Sequence, residues 1–167
     1  LKVERSYSKG EDIGYVGEVK EVDTTLIHSL LKDDLYQLYV LLVMTISSIH
    51  IISMLDAACA IARAVNAEKL AFLTDIEGVY RDYNDKTSLI SELSTTEARE
   101  LLASGTIGGG MLPKLNNCID AIEHGVSRVH ILDGRIPHCL LLEIFTNKGV
   151  CTAILSEGAE KFFETNL

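Results

Sequence analysis

Residues 56–75, DAACAIARAVNAEKLAFLTD, decide the fold of this chain. Their alanine-rich first half predicts a helix from Asp56 to Asn66, and the apolar run that follows predicts a strand from Lys69 to Asp75. The same order recurs downstream, with helices predicted over 95–104, 113–124 and 137–145 and strands over 127–132 and 150–155. This alternation predicts an α/β domain with a largely parallel sheet, whose ligands gather at the carboxyl ends of the strands. Asp75 and Asp133-Gly134 stand at two such ends.

Composition narrows the class of protein. With 167 residues, 47% of them hydrophobic, the chain can bury one core and is most simply one domain or a large part of one. The net charge of −9 argues against nucleic acids and anionic membranes as partners, so a local cation must attract any phosphate. Upstream of the deciding stretch, residues 14–19 predict a short strand and residues 24–31 a short helix.

The four cysteines lie far apart and form neither a C-x-x-C pair nor a zinc spacing with histidine. We therefore expect reduced, buried thiols, no metal site and a cytoplasmic protein. Nothing resembles a signal peptide, because Leu1 leads directly into the charged run KVERSYSKGED. The absence of an initiator Met suggests a fragment.

A second stretch, GTIGGGMLPK at residues 105–114, indicates phosphate handling. Clustered glycines let backbone amides approach an anion, and Lys114 supplies a positive charge just past them. The spacing fits neither a Walker A loop nor a G-x-G-x-x-G turn. Pro113 suits the first helical position, which would place Lys114 in a first turn whose free amides also favour an anion. The alternative is a flexible loop with a solvated lysine.

The segment from Leu35 to Leu55 carries no formal charge, and its hydropathy makes it a candidate membrane span. The flanks are acidic rather than basic, and the segment contains Gln, Thr, Ser and His. We therefore favour a chain that does not cross a membrane.

Four motifs together resemble acetylglutamate kinases, which belong to the amino acid kinase family. They are DIGYVGEVKEV, NAEKLAFLTDIEGVY, GTIGGGMLPK and AIEHGVSRVHILDGRIPHCLLLEIFTNKG, and they cover residues 12–34 and 56–155 without the segment between. The resemblance implies a three-layer sandwich with a mainly parallel central sheet flanked by helices. It also implies that residues 1–167 are a partial domain whose N-terminal part is missing, with residues 56–167 as the nucleotide-binding half.

The resemblance assigns roles to individual residues. Lys114, in the family's G-G-M-x-P-K motif, would contact the transferring phosphoryl group. Asp75, in L-T-D-x-x-G-V, would lie near the nucleotide and its Mg²⁺ or organise the lysines of the site, the alternative being an ordinary turn residue. The nucleotide pocket would also be lined by Thr74, Gly78, Val79, Tyr80 and Met111.

The arginine site of feedback-inhibited members resembles the region of His138, Glu143 and Gly149. Cys151 departs from the pattern, because the family usually has glycine there. Sensitive members also need an N-terminal helix and form larger rings than the dimeric insensitive ones. We therefore expect a homo-oligomer, a dimer or a hexamer, with arginine as a candidate feedback inhibitor.

The implied reaction is ATP-dependent phosphorylation of the side-chain carboxylate of N-acetyl-L-glutamate, the second step of arginine biosynthesis. Because the reaction brings anions together, it depends on positioning and on cations, here lysine and Mg²⁺. No general base is needed, since the acceptor carboxylate is already ionised at neutral pH. We expect the chain alone to be inactive.

Three other functions stay open. The chain could be a different amino acid kinase, although HILDGRIPHCLLLEIFT resembles the acetylglutamate branch. It could be a non-catalytic remnant that binds nucleotide or arginine, or a membrane-tethered domain.

Residues 35–55 depart from the family pattern, which has YNINAD at the start of the alanine-rich helix where this chain has ISML before Asp56. Codons can be chosen for Ser48–Leu55 whose bases also have a second reading. When these bases are read in a frame that starts at the last base of the Ser48 codon, they encode His-Thr-Tyr-Asn-Ile-Asn-Ala. Residues 35–46 regroup in the same direction to Ile-Pro-Val-Ile-Cys-Pro-Val-Gly-Tyr-Asp-Asp. We infer that residues 35–55 are translated out of frame between two compensating nucleotide changes.

Sequencing the DNA that encodes residues 35–55 tests this hypothesis. We expect codons whose regrouping restores both family motifs, bounded by one nucleotide change on each side. Codons that are incompatible with the regrouping would end the hypothesis and make the apolar segment a genuine feature of the protein.

Overall fold

The computed structural model describes residues 1–8, 10–35, 42–44, 49–51, 53–146 and 150–159. The chain divides into two compact units, residues 1–67 and residues 68–167. Each unit has its own four-stranded sheet.

The first unit is built on a mixed sheet. Its elements are β1 (Lys2–Ser8), β2 (Glu11–Glu21), α1 (Thr25–Lys32), β3 (Leu42–Met44), β4 (Ile49–Ile51) and α2 (Met54–Ala64). The strand order is β1-β2-β4-β3, with an antiparallel pair at each end and a parallel pair between β2 and β4. Val3 of β1 and Ala57 of α2 are buried together against Val19.

The local sequence pattern did not predict β1 and predicted only part of β2. In β1 the buried Val3 has exposed charged neighbours on both sides, Lys2 and Glu4, so the strand lacks an apolar pattern. Pairing with β2 forms it instead, and Gly10 permits the turn between them with φ +84°.

The reading-frame hypothesis for residues 35–55 falls partly on residues outside those described. The backbone of residues 49–51 forms β4 beside β2, and that of residues 42–44 forms β3 on the other side of β4. Among the helices that the structure describes, none has the length and apolar character needed to span a bilayer.

The second unit carries most of the predicted alternation. Its elements are β5 (Lys69–Thr74), β6 (Val79–Tyr80), β7 (Leu89–Ile90), β8 (Glu92–Ser94), α3 (Thr95–Ala103), α4 (Met111–Glu123), β9 (Arg128–Asp133), α5 (Cys139–Phe145) and β10 (Cys151–Leu155). The main sheet has the order β5-β9-β10-β8. The β5–β9 and β8–β10 pairs are parallel and the β9–β10 pair is antiparallel. The predicted α/β class with a mainly parallel sheet and flanking helices is confirmed, although the direction of β10 relative to β9 was not predicted.

The core of the second unit follows from two periodicities. In α4 the buried residues recur at helical spacing, which gives the helix one apolar face: Leu115, Cys118, Ile119 and Ile122. In β9 the side chains alternate, so Val129 and Ile131 are fully buried on one face while Leu132 packs on the other with Cys139 of α5. Side chains are therefore packed on both faces of the sheet.

At the start of α3 a capping box fixes the helix end, because the Ser94 hydroxyl accepts the Glu97 amide and the Glu97 carboxylate accepts the Ser94 amide.

The small β6–β7 hairpin is fixed to the core strand β10 by one buried hydroxyl. Thr152 Oγ1 accepts the Val79 amide at 2.8 Å and donates to the Ile90 carbonyl at 2.6 Å. Gly78 allows this approach, because its φ is +151° and a Cβ there would lie 2.5 Å from Thr152 Oγ1 and 3.2 Å from the Thr152 nitrogen. Only glycine fits at this position without displacing the strand.

Replacing Gly78 with alanine should therefore destabilise the chain. The added Cβ would break the Thr152 contacts and strain the backbone, at a cost of about 1–3 kcal/mol in the free energy of unfolding. Gly108→Ala is the matched control, because a Cβ at Gly108 meets nothing within 4 Å. Urea unfolding of both variants measures the difference, and equal midpoints would contradict the proposed contact.

Candidate functional site

A cavity of about 720 Å³ lies beside the carboxyl ends of β5 and β9. Thr74 and Asp133 pair at the ends of these two parallel strands, so the residues that follow each strand meet at one edge of the sheet. The walls come from residues 75–80 after β5, from the glycine loop and first turn of α4, and from Arg135 after β9. The volume suits a small-molecule ligand.

The cavity brings together most of the residues that the sequence predicted. Its lining includes Asp75, Gly78, Val79, Tyr80, Met111 and Lys114. Thr74 instead makes backbone contacts, since its hydroxyl lies 3.3 Å from the Leu132 carbonyl and accepts the Ile76 amide at 3.3 Å. Thr74 therefore shapes the strand end rather than the lining.

Lys114 is a cation that an incoming anion can recruit. Its Nζ lies 3.8 Å from Asp75 Oδ1, and the Asp75 side chain is 87% exposed whereas that of Lys114 is 21% exposed. A long pair with such an exposed carboxylate contributes only about 0–1 kcal/mol. A phosphate oxygen can therefore replace Asp75 as the partner of Lys114 at little cost.

The start of α4 differs from the prediction. The helix begins at Met111, so Pro113 is the third helical residue rather than the first. The predicted free amides belonged to a turn starting at Pro113, whereas the first amides of the observed helix, those of Met111 and Leu112, donate to the carbonyls of Gly108 and Gly109 at 3.3 and 3.4 Å. These amides are already engaged, so the charge of Lys114 is the stronger attraction for an anion at this end of the helix.

The cavity also contains residues to which the sequence had assigned no role, among them Glu77, Tyr83, Lys86 and Arg135. Lys86 Nζ lies 4.7 Å from the centre of the Tyr80 ring and 3.5 Å from Glu77 Oε2, and Glu77 also contacts the Tyr80 hydroxyl. The available signal for Arg135 was its position just after Asp133-Gly134, a strand end that the sequence analysis had noted.

Arg135 is held by a buried carboxylate. Asp133, which is 4% exposed, accepts the Arg135 backbone amide at 2.9 Å and two guanidinium hydrogen bonds at 2.8 Å, from Nε to Oδ1 and from Nη2 to Oδ2. These bonds, first from the side chain and then from the backbone, lower the pKa of Asp133, and the same carboxylate raises the pKa of Arg135. Arg135 is thus a fixed cation of the cavity, whereas Lys114 is more loosely held.

The residues predicted to bind arginine lie elsewhere. Glu143 lines a second cavity of about 390 Å³, and its two oxygens already accept the His130 ring at 3.1 Å and the Val150 amide at 3.3 Å. His138 precedes α5 with a left-handed backbone, φ 60°. Gly149 lies outside the described residues.

Comparison with known sequences points to one family. A sequence profile of the amino acid kinase family matches residues 1–133. The acetylglutamate kinase of Caldicellulosiruptor bescii is 46% identical over 155 residues, which are 89% of this chain and 51% of that protein. The acetylglutamate kinase of Campylobacter jejuni is 47% identical over 147 residues, 87% of this chain and 52% of that protein. The chain spans about half the length of the curated relatives it matches.

Solved structures share the fold. An N-acetylglutamate synthase from Neisseria gonorrhoeae, complexed with coenzyme A and L-arginine, matches with a TM-score of 0.82 and 27% identity over 93% of this chain and 36% of that chain. A carbamate kinase from Giardia lamblia bound to AMP-PNP matches with a TM-score of 0.63 and 18% identity, over 93% of this chain and 52% of that chain. The second likeness concerns the fold alone.

Replacing Asp133 with asparagine should change how stability depends on pH. Because folding lowers the pKa of Asp133, its stabilising effect is fully present above the ordinary carboxyl pKa of about 3.9 and is lost as the pH falls through the folded value. We expect Asp133→Asn to unfold at lower urea than the unmodified chain at pH 7, and the difference to shrink in acid. The control is Asp34→Asn, which removes an exposed carboxylate. If the urea midpoints of Asp133→Asn and the unmodified chain differed by the same amount at every pH, the role of the ion pair would be contradicted.

Proposed function

This chain belongs to the amino acid kinase family, and we propose that it contributes the nucleotide-binding part of an acetylglutamate kinase. The proposed reaction transfers the γ-phosphoryl group of ATP to the side-chain carboxylate of N-acetyl-L-glutamate, within cytoplasmic arginine biosynthesis. Identities of 46% and 47% to acetylglutamate kinases support it, and they confirm the resemblance inferred from the motifs. The structural observation that carries the proposal is Lys114 beside Asp75 in a cavity at the ends of the parallel strands.

The lining of the cavity suits a nucleotide. Apolar side chains of Ile107 and Met111 offer a surface for a base or sugar, and the cations Lys86, Lys114 and Arg135 offer charge for phosphates. Asp75 and Glu77 also line the cavity, and their carboxylate oxygens are of the type that Mg²⁺ prefers. When bound with ATP, Mg²⁺ neutralises phosphate charge. The residues present therefore fit ATP with Mg²⁺.

Lys114 and Arg135 would play different parts in the site. Lys114 can leave its weak pair with Asp75 and follow a phosphoryl group as negative charge develops on the transferred oxygens. Arg135 cannot move as freely, because Asp133 holds two of the five N–H donors of its guanidinium. Arg135 would instead orient the phosphates that do not transfer. No proton has to be removed from the acceptor, since its carboxylate is ionised at neutral pH.

Catalysis would require the whole protein. The chain matches only about half the length of its curated relatives, so we propose that the 167-residue polypeptide binds nucleotide without turning over N-acetyl-L-glutamate. We also propose a homo-oligomer, a dimer or a hexamer, for the whole protein.

A second proposal is regulation by arginine near Glu143. The Neisseria gonorrhoeae synthase was solved with L-arginine, and in this chain the cavity beside Glu143 also contains the carboxylate of Glu92. His138, Glu143 and Gly149 are the proposed ligands. Titration with L-arginine in the absence of ATP separates this function from nucleotide binding.

Replacing Lys114 with alanine should weaken ATP-Mg binding to the 167-residue chain. The lost charge-assisted contact is worth about 1.5–3 kcal/mol, which corresponds to a decrease in affinity of roughly 10- to 100-fold. Isothermal titration calorimetry measures the change. The control is Lys20→Ala, which removes the same charge from an exposed pair with Glu18 in the first unit.

Two results would contradict the proposal. Equal ATP affinity for Lys114→Ala and the unmodified chain would remove Lys114 from the phosphate site. Tight binding of N-acetyl-L-glutamate to the 167-residue chain would show that the chain is more than the nucleotide-binding part.

A further inference from the structure

Three side chains that do not line the proposed nucleotide cavity converge inside the second unit. They are His130 of β9, Glu143 of α5 and Cys151 of β10, and their ligand atoms all lie within 4.8 Å of one another. His130 Nδ1 is 3.1 Å from Glu143 Oε1 and 3.7 Å from Cys151 Sγ. All three residues are largely buried: Cys151 is 1% exposed, Glu143 is 9% exposed and the His130 side chain is 13% exposed.

The fold builds this cluster from elements distant in sequence. In the antiparallel pair of β9 and β10, Cys151 lies opposite Leu132, so the Cys151 side chain shares a sheet face with that of His130. The helix α5 covers the same face and supplies Glu143. The Val150 amide donates to Glu143 Oε2, which leaves Oε1 directed at His130.

We propose that His130, Glu143 and Cys151 bind one divalent cation of the Zn²⁺ class. A tetrahedral zinc ion with bonds of about 2.0 Å to nitrogen and oxygen and about 2.3 Å to sulfur sets its ligands roughly 3.3–3.6 Å apart. The separations of 3.1 and 3.7 Å lie within about 0.2 Å of this spacing, and the Glu143 and Cys151 ligand atoms are at most 4.8 Å apart. A cation could therefore enter with small shifts of the side chains.

The donor chemistry selects the metal. One nitrogen, one oxygen and one sulfur suit Zn²⁺ or Co²⁺, whereas Mg²⁺ requires oxygen ligands. The nucleotide cavity, with the carboxylates of Asp75 and Glu77, has the opposite preference. The two sites should therefore not compete for the same ion.

The charges also balance. The Glu143 carboxylate accepts hydrogen bonds at both oxygens, from the His130 ring and from the Val150 amide, and supplies one negative charge. Cys151 is 1% exposed, and its thiol must lose its proton to bind a metal. Binding forms bonds from the metal to Nδ1, Oε1 and Sγ and releases the thiol proton to water. The product of one dication and two anions is neutral, as a buried site requires.

The His130 ring can adopt the tautomer that the metal needs. In the part of the chain that the structure describes, His130 Nε2 is buried and has no hydrogen-bond partner. A metal at Nδ1 would take the place of the proton shared with Glu143, and the ring would then carry its proton on Nε2, where no existing hydrogen bond has to be broken. The cavity of about 390 Å³ beside His130 and Glu143 supplies an entry route and space for a water as fourth ligand.

Titration of the 167-residue chain with Co²⁺ tests the proposal. We expect one Co²⁺ per chain, a thiolate-to-cobalt charge-transfer band in the near ultraviolet, and visible bands of tetrahedral intensity. Cys151→Ser should abolish the charge-transfer band and weaken binding at least 10-fold. The matched control is Cys139→Ala, a buried cysteine of the same apolar cluster that lies outside the proposed ligand set.

A second variant guards against a folding defect in Cys151→Ser. Glu143→Gln keeps the shape of the side chain and removes its charge, so it should keep the charge-transfer band but weaken binding at least 10-fold. Zn²⁺ should raise the thermal midpoint of the unmodified chain and displace Co²⁺ from it. Absence of a charge-transfer band in the unmodified chain, its persistence in Cys151→Ser, its loss in Cys139→Ala, or unchanged affinity in Glu143→Gln would each overturn the proposal. These outcomes are independent of ATP binding and of the kinase proposal.

Discussion

The hydroxyl of Thr152 is the contact on which the geometry of the proposed nucleotide cavity depends. It satisfies the Val79 amide and the Ile90 carbonyl, both from the β6–β7 hairpin, at a fully buried position of the central strand β10. A buried amide or carbonyl without a partner would cost about 1–3 kcal/mol, so the hairpin has a strong reason to stay in place. The wall that carries Glu77, Gly78 and the Tyr80 ring is consequently attached to the core of the second unit rather than left as a surface loop.

The parts of the fold that could be predicted from sequence are those in which local pattern and tertiary packing agree. The alanine-rich α2, the apolar β5 and the amphipathic α4 have patterns strong enough to specify their type, within two or three residues at each end. β1 was missed because its buried side consists mainly of Val3. Hydrogen-bonded pairing with β2, rather than a row of buried apolar side chains, holds this strand in place. The direction of β10 could not be predicted either. All five of its residues are buried, and such a strand carries no local signal that says which way it pairs.

The candidate site shows the same division between what sequence reveals and what only the fold provides. Lys114 and Asp75 stand in recognisable motifs, and the structure brings them to one cavity. Arg135 also lies in a quoted motif, but no role was assigned to it, because its position in the cavity comes from the fork of hydrogen bonds with Asp133, two residues earlier. The predicted start of α4 was wrong because it relied on the preference of proline for the first helical position. In the structure the Gly108 and Gly109 carbonyls accept the first helical amides, so the helix begins two residues before Pro113.

The alternation of β10 gives the second unit two chemical environments on opposite faces of one strand. Thr152 turns towards the β6–β7 hairpin, whereas Cys151, the residue before it, turns towards His130 and Glu143. Short cysteine and histidine spacings in the sequence do not indicate the second environment, because its three side chains come from β9, α5 and β10 and are separated by up to 21 residues. The two proposed sites would sort a hard cation from a borderline one by ligand type, with oxygen ligands in the nucleotide cavity and nitrogen and sulfur at the cluster. The Glu143 carboxylate would be a ligand both for a metal at the cluster and for a guanidinium in the adjacent cavity. Binding of arginine there would therefore lower the affinity of the cluster for a metal, and binding of a metal would lower the affinity for arginine to the same degree.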